Sequence, residues 1–189
     1  MRKIKLFGLF LVVIVINIKP TIAQVSEPEF IGEAYLIKVD SSTVSLDKEI
    51  ADFTTGISWS SNSWKSHAIE ISGNKALTRF SSGELFKFLV RAVDNNSDPL
   101  TIISIYKFKE KEKKKKKTST VELGEDNSGT FMKSRTKSEN LLKFKGKKFG
   151  SSSYLIELSD LMPGEYGIIV LNPNNRDEKR TIVSCFGID

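Results

Sequence analysis

Along residues 85–93, apolar and charged positions alternate: Phe86, Phe88, Val90 and Ala92 share one face while Lys87 and Arg91 take the other. A period of two belongs to a strand with one buried face. Residues 153–159 repeat it, with Tyr154, Ile156 and Leu158 against Glu157 and Ser159. Residues 33–40 do the same, with Tyr35, Ile37 and Val39 against Lys38 and Asp40. Residues 167–171 are apolar on both faces, as a central strand is. No stretch sustains a helical period. Turn-forming clusters fall at Ser72-Gly73-Asn74, Ser81-Ser82-Gly83, Asp94 to Pro99, Gly124 to Gly129, Pro163-Gly164 and Asn172 to Asn175. Many short strands with turns at this spacing predict an all-β chain folded as a sandwich or barrel.

The stretch Leu161-Met162-Pro163-Gly164-Glu165-Tyr166 resembles the Leu-x-Pro-Gly-x-Tyr turn into a late strand of many immunoglobulin-like and carboxypeptidase-regulatory-like sandwiches of secreted proteins. The resemblance implies an immunoglobulin-like antiparallel β-sandwich with a tyrosine corner, the hydroxyl reaching back to upstream backbone. Residues 148–170 and the terminal Cys-Phe-Gly-Ile-Asp also resemble an uncharacterised family of secreted bacterial β-sandwich proteins ending in similar blocks. That second resemblance implies a fold and no site.

The first residues alter how the charge is read. Arg2, Lys3 and Lys5 precede an apolar run from Leu6 to Ile18, then Pro20 and the small-residue site Thr21-Ile22-Ala23. This predicts a signal peptide over residues 1–23, cut before Gln24, and a secreted or periplasmic protein. The run is shorter than the ~20 residues of a spanning helix, so no transmembrane segment is expected once the leader is removed. Residues 24–189 then form a single β-sandwich domain. The leader holds four of the 29 basic residues and none of the 23 acidic ones, leaving a net +2. Residues 107–117 carry eight Lys and two Glu, and residues 133–148 carry seven basic groups and one Glu. Each stretch is +6, so the remainder is an acidic body of −10 bearing two basic segments.

The first basic segment is the strongest candidate site. Ile103, Ile105, Lys107, Lys109, Lys111 and Lys113 fall on one face, and Tyr106, Phe108, Glu110 and Glu112 on the other. This is a strand that starts in the core and runs out into water. Residues 118–123 are β-prone and return beside it, so a protruding lysine-rich hairpin is expected at about residues 107–120, with Lys113, Lys114, Lys115, Lys116 and Lys117 at its tip. Such charge keeps a projecting strand from pairing with another chain. It also suits a polyanion: an anionic lipid, lipopolysaccharide or an acidic glycan. Without interleaved aromatics or arginines, specific nucleic-acid recognition is not expected.

Trp59 and Trp64 lie in a Ser/Gly/Asn-rich stretch, residues 54–67, without strand periodicity. They are either a stacking platform for sugar rings or plugs at one end of the sandwich. His67 shares the alternating face of Ile69 and Ile71, and Cys185 sits in the apolar run 182–186 as a small buried hydrophobe. One histidine and one cysteine make no zinc site, so no metal or cofactor is expected. Asp94, Asn96 and Asp98 are spaced like the start of a calcium loop, but Pro99 stands where glycine is required and Ile105 where glutamate is, so a turn is expected. No catalytic motif is present. The expected function is a non-catalytic binding or interaction module, an enzyme being disfavoured. Two alternatives stay open: a small hydrolase of an envelope polymer acting through carboxylates, and a structural subunit pairing with another secreted protein through sheet edges.

Overall fold

In the computed structural model, residues 25–58, 64–73, 75–83, 85–113, 116–127 and 140–189 are described. In chain order the strands are β1 (Ala34–Ile37), β2 (Thr43–Ser45), β3 (Asp47–Ser58), β4 (Trp64–Ser72), β5 (Arg79–Phe80), β6 (Leu85–Arg91), β7 (Ile103–Lys113), β8 (Lys116–Asn127), β9 (Lys145–Phe149), β10 (Ser153–Ser159), β11 (Gly164–Val170) and β12 (Arg180–Ile188). A four-residue helix, α1 (Pro99–Ile102), precedes β7. The chain is all-β, as its alternation requires.

Five strands form an open sheet in the order β2-β1-β6-β10-β9. The others close on themselves: β11 pairs with β7 on one side and β12 on the other, so β11, β7, β8, β4, β3 and β12 make a six-stranded barrel, with β5 added parallel to β12. The open sheet packs on the outside of this barrel, and the strands between the two carry apolar side chains on both faces. On β11, Tyr166, Ile168 and Val170 join the core beneath the open sheet, while Ile169 packs into the barrel. On β12, Phe186 and Ile188 face the sheet and Val183 and Cys185 face the barrel. On β7 the corresponding sets are Ile103 and Ile105, and Tyr106 and Phe108. This shared wall is why residues 167–171 read as apolar on both faces. Between wall and sheet, Phe186 meets Phe88 at 4.8 Å and stacks on Tyr166 at 5.3 Å between ring centroids. Each large side chain so buried contributes roughly 1.5–3 kcal/mol.

The alternation of β6 and β10 holds as read: Phe86, Phe88, Val90, Ala92, Tyr154, Ile156 and Leu158 are all buried. Three expectations are corrected, and the expected turn before Pro99 is extended by a short helix. On β1 the core face is Ala34 and Leu36, so Tyr35 and Ile37 lie on the outer face; Val39 stands fully exposed in the turn that Ser41 makes with positive φ. Gly124 is no turn residue: β8 continues to Asn127, accommodating it with a register shift opposite His67 and Ala68. Residues 54–58 and 64–67, expected to be irregular, are paired strand in β3 and β4. The turn from Asp94 to Pro99 leads into helix α1, with Asp98 accepting from Leu100 N at 2.9 Å as its N-cap and Asp94 accepting from Asn96 N at 2.8 Å.

The motif at residues 161–166 makes the expected hydrogen bond: Tyr166 Oη donates to Met162 O at 2.5 Å. Lys107 closes over it, its Nζ 3.0 Å from Pro163 O and 5.7 Å from the Tyr166 ring centroid. Among the described residues no helix is long and apolar enough to cross a membrane.

Candidate functional site

Three regions bear on function, and strand register fixes how they relate. The lysine row leaves the core along β7. Ile103 and Ile105 are buried, Lys107 is half-buried against the tyrosine corner, and Lys109 is exposed. From Lys109 onward β7 pairs with β8 in the register Lys109↔Thr120, Lys111↔Thr118 and Lys113↔Lys116. At Lys113, Lys116 and Lys117 it is the backbone that is described, and Lys114 and Lys115 lie outside the described residues.

Trp59 lies outside the described residues as well. The Trp64 backbone begins β4, opposite Ser58 of β3 and Asn127 of β8. At the other end of β4, Ser72 pairs with Thr118, next to the lysine row. Eight residues of strand at ~3.3 Å each separate these ends by roughly 26 Å. The register therefore sets the backbone of Lys113, Lys116 and Lys117 at the barrel end where Ser72 lies, and the backbone of Trp64 at the opposite end.

At that mouth a strap, residues 75–80, crosses the opening and is held by carboxylates. Asp47 accepts from Leu77 N at 2.5 Å, Thr78 N at 2.8 Å and Thr78 Oγ1 at 2.7 Å. Glu165 accepts from Ala76 N at 2.8 Å and from Arg79 Nη1 at 2.7 Å, and Arg79 Nε also donates to Asp189 at 2.8 Å. Gly187 permits this, since a Cβ there would stand 2.2 Å from Arg79 Nη1. Under the strap a small recess of about 30 Å³, open to solvent, is lined by Glu49, Lys75, Ser119, Glu165 and Cys185 among others. Cys185 is buried, and that burial, helped by the carboxylates of Glu49, Asp47 and Glu165, pushes its thiol up to about 12. A neutral thiol is neither nucleophile nor metal ligand at ordinary pH. His67 cannot activate it. Cys185 sits opposite Asp47 on β3, whereas His67 sits opposite Thr55, eight residues along, with its Nδ1 3.3 Å from Thr55 Oγ1.

The third region lies on the open sheet. Its edge strand β9 exposes Lys145, Lys147 and Lys148, with Lys143 just before it. Lys145 lies opposite Glu157 on β10, and Leu85 of β6 lies opposite Ser159. Leu85, Lys143, Phe144, Lys145, Glu157 and Ser159 line a groove of about 410 Å³, open to solvent, at one end of the sheet's outer face. The sequence marks the lysines as part of a basic segment. It does not show that Leu85, Glu157 and Ser159 stand beside them, because only strand register does that. Among the described residues no His, Cys, Asp and Glu group forms a metal cluster.

Compared with family models, with curated proteins and with solved structures, the chain matches none of them.

Proposed function

We propose that this chain is a secreted or periplasmic, non-catalytic binding module, an immunoglobulin-like sandwich elaborated by a barrel, that contacts an anionic envelope surface through the lysines at residues 113–117. The observation that carries the reading is the course of β7. The strand is anchored in two cores as far as Phe108, stays in the barrel wall to Lys111 through β8 and β4, and runs past β4 with β8 at Glu112↔Lys117 and Lys113↔Lys116. A strand rooted in this way supports a reading in which the lysines that follow are presented to a surface. Each lysine near an anionic surface contributes about 1 kcal/mol, and salt screens the attraction. The tyrosine corner and the apolar layer beneath the open sheet support the sandwich component of the proposal.

The test is co-sedimentation of residues 24–189 with anionic and with neutral vesicles across a salt series. Salt-sensitive preference for the anionic vesicles, lost when Lys113, Lys114, Lys115, Lys116 and Lys117 are changed to glutamine with the melting temperature retained, is the expected result. Equal retention on both vesicles at low salt would sink the reading.

A further inference from the structure

The groove beside β9 combines charges that a flat anionic surface does not ask for. Lys143 and Lys145 stand exposed on one wall, and Glu157 and Ser159 lie across from them. No ion pair joins Lys143, Lys145 or Glu157 to another described residue, although Glu157 is flanked in register by Lys145 on β9 and Lys87 on β6. Lys143 and Lys145 therefore keep their donors available to the groove. Leu85 is 53% exposed and Phe144 is half-buried, so the groove has an apolar surface as well as polar groups. Its volume of about 410 Å³ is within the range of small-ligand sites.

We propose that this groove is a binding site for an acidic saccharide, a sugar chain bearing carboxylates. In this arrangement Lys143 and Lys145 hold the sugar carboxylates, Glu157 and Ser159 accept from sugar hydroxyls, and Leu85 packs against the C–H face of a ring. Lys147, one residue pair along the same face of β9 from Lys145 and so ~7 Å away, meets the next charge of the chain. Glu157 is what selects this class. Phosphate or a phospholipid headgroup layer brings negative charge with few hydroxyl donors and would be repelled by a carboxylate in the site. A polyuronate supplies both the anions for the lysines and the hydroxyls for Glu157. The proposal rests on the reading of the chain as a binding module but not on the lysines at residues 113–117, of which Lys113, Lys116 and Lys117 belong to the barrel strands β7 and β8.

The experiment is titration of residues 24–189 with polygalacturonate, its methyl ester and inorganic polyphosphate, in parallel with the vesicle assay. Tight binding of polygalacturonate is expected, with the uncharged ester and polyphosphate at least tenfold weaker. The double variant Lys143→Gln/Lys145→Gln should lose tenfold or more in affinity for polygalacturonate and leave vesicle binding unchanged. Glu157→Ala separates a site from diffuse attraction: a built site loses affinity, whereas a charged patch gains it because a repulsive carboxylate has gone. Tighter binding by Glu157→Ala, or polyphosphate binding as well as polygalacturonate, would overturn the proposal. If the variants at residues 113–117 abolish polygalacturonate binding while Lys143→Gln/Lys145→Gln does not, the groove is again excluded and the lysine ribbon alone carries the affinity.

Discussion

Arg79 and Glu165 meet at 2.7 Å across the barrel mouth, and the same guanidinium reaches Asp189, so one side chain ties the strap to β11 and to the end of β12. The two acids are not equivalent. The Glu165 side chain is 11% exposed and also accepts the amide of Ala76, whereas that of Asp189 is 65% exposed. Hydrogen bonds to a charged group in a sheltered setting contribute about 1.5–3 kcal/mol, and exposed pairs far less. Glu165→Ala should therefore destabilise the fold by about 2 kcal/mol, a fall in melting temperature of roughly 4–8 °C for a domain of this size. Asp189→Ala should leave the melting temperature nearly unchanged. Equal effects in thermal scans of the two variants would show that the strap is not held as described.

What the sequence made legible depended on whether a side chain's environment is set by its own strand. β6 and β10 could be read directly because their alternating apolar sets are buried, although Leu89 on the other face of β6 is buried too, and β11 because it carries apolar side chains into both cores. The face of β1 was misleading, since Val39 extends the apolar pattern into a turn where it is exposed, and the small Ala34 takes the core position instead. Strand spacing allowed a barrel beside a sandwich but could not choose it, because closure rests on the pairing of β11 with β12, and alternation does not specify a partner. The groove escaped for the same reason. Lys145 with Glu157, and Leu85 with Ser159, become neighbours only through register. The lysine row was conspicuous because it is local.

Cys185 gives the barrel a pH dependence with a definite sign. The unfolded thiol ionises near 9.0, while in the folded barrel burial, with the nearby carboxylates of Glu49, Asp47 and Glu165, pushes it up to about 12. Above about pH 9 the unfolded chain releases this proton and the folded one does not, which favours unfolding. The contribution is thus complete below pH 9 and is lost as pH rises toward 12, by about 1.4 kcal/mol per unit. Other groups titrate in that range, so the measurement is a difference. Denaturant unfolding of the native chain and of Cys185→Ala from pH 8 to 11 should show the native chain losing stability more steeply. Parallel profiles, or rapid modification of the native thiol at pH 8, would place Cys185 at the surface instead.

Gly167 of β11 faces the barrel core, where the wall is tightly packed. A Cβ at this position would stand 2.5 Å from Val183 Cγ1 and 2.6 Å from Phe108 Cε2, inside the barrel and within the distance that packed side chains keep. The backbone here needs no special φ, so the requirement is one of space. Gly167→Ala should cost about 1–3 kcal/mol through overpacking. Gly83→Ala, whose added Cβ would meet Phe86 Cζ at an ordinary 3.5 Å, is the control and should change the melting temperature little. Trimming the obstructing neighbour separates crowding from a backbone effect. Val183→Ala alone opens a cavity and destabilises, but combined with Gly167→Ala the added methyl occupies part of the vacated volume, so the double variant should be more stable than the two single costs predict. Strict additivity in denaturant unfolding of the four proteins would mean that Gly167 and Val183 do not touch, and that the barrel wall is spaced more widely than this packing requires.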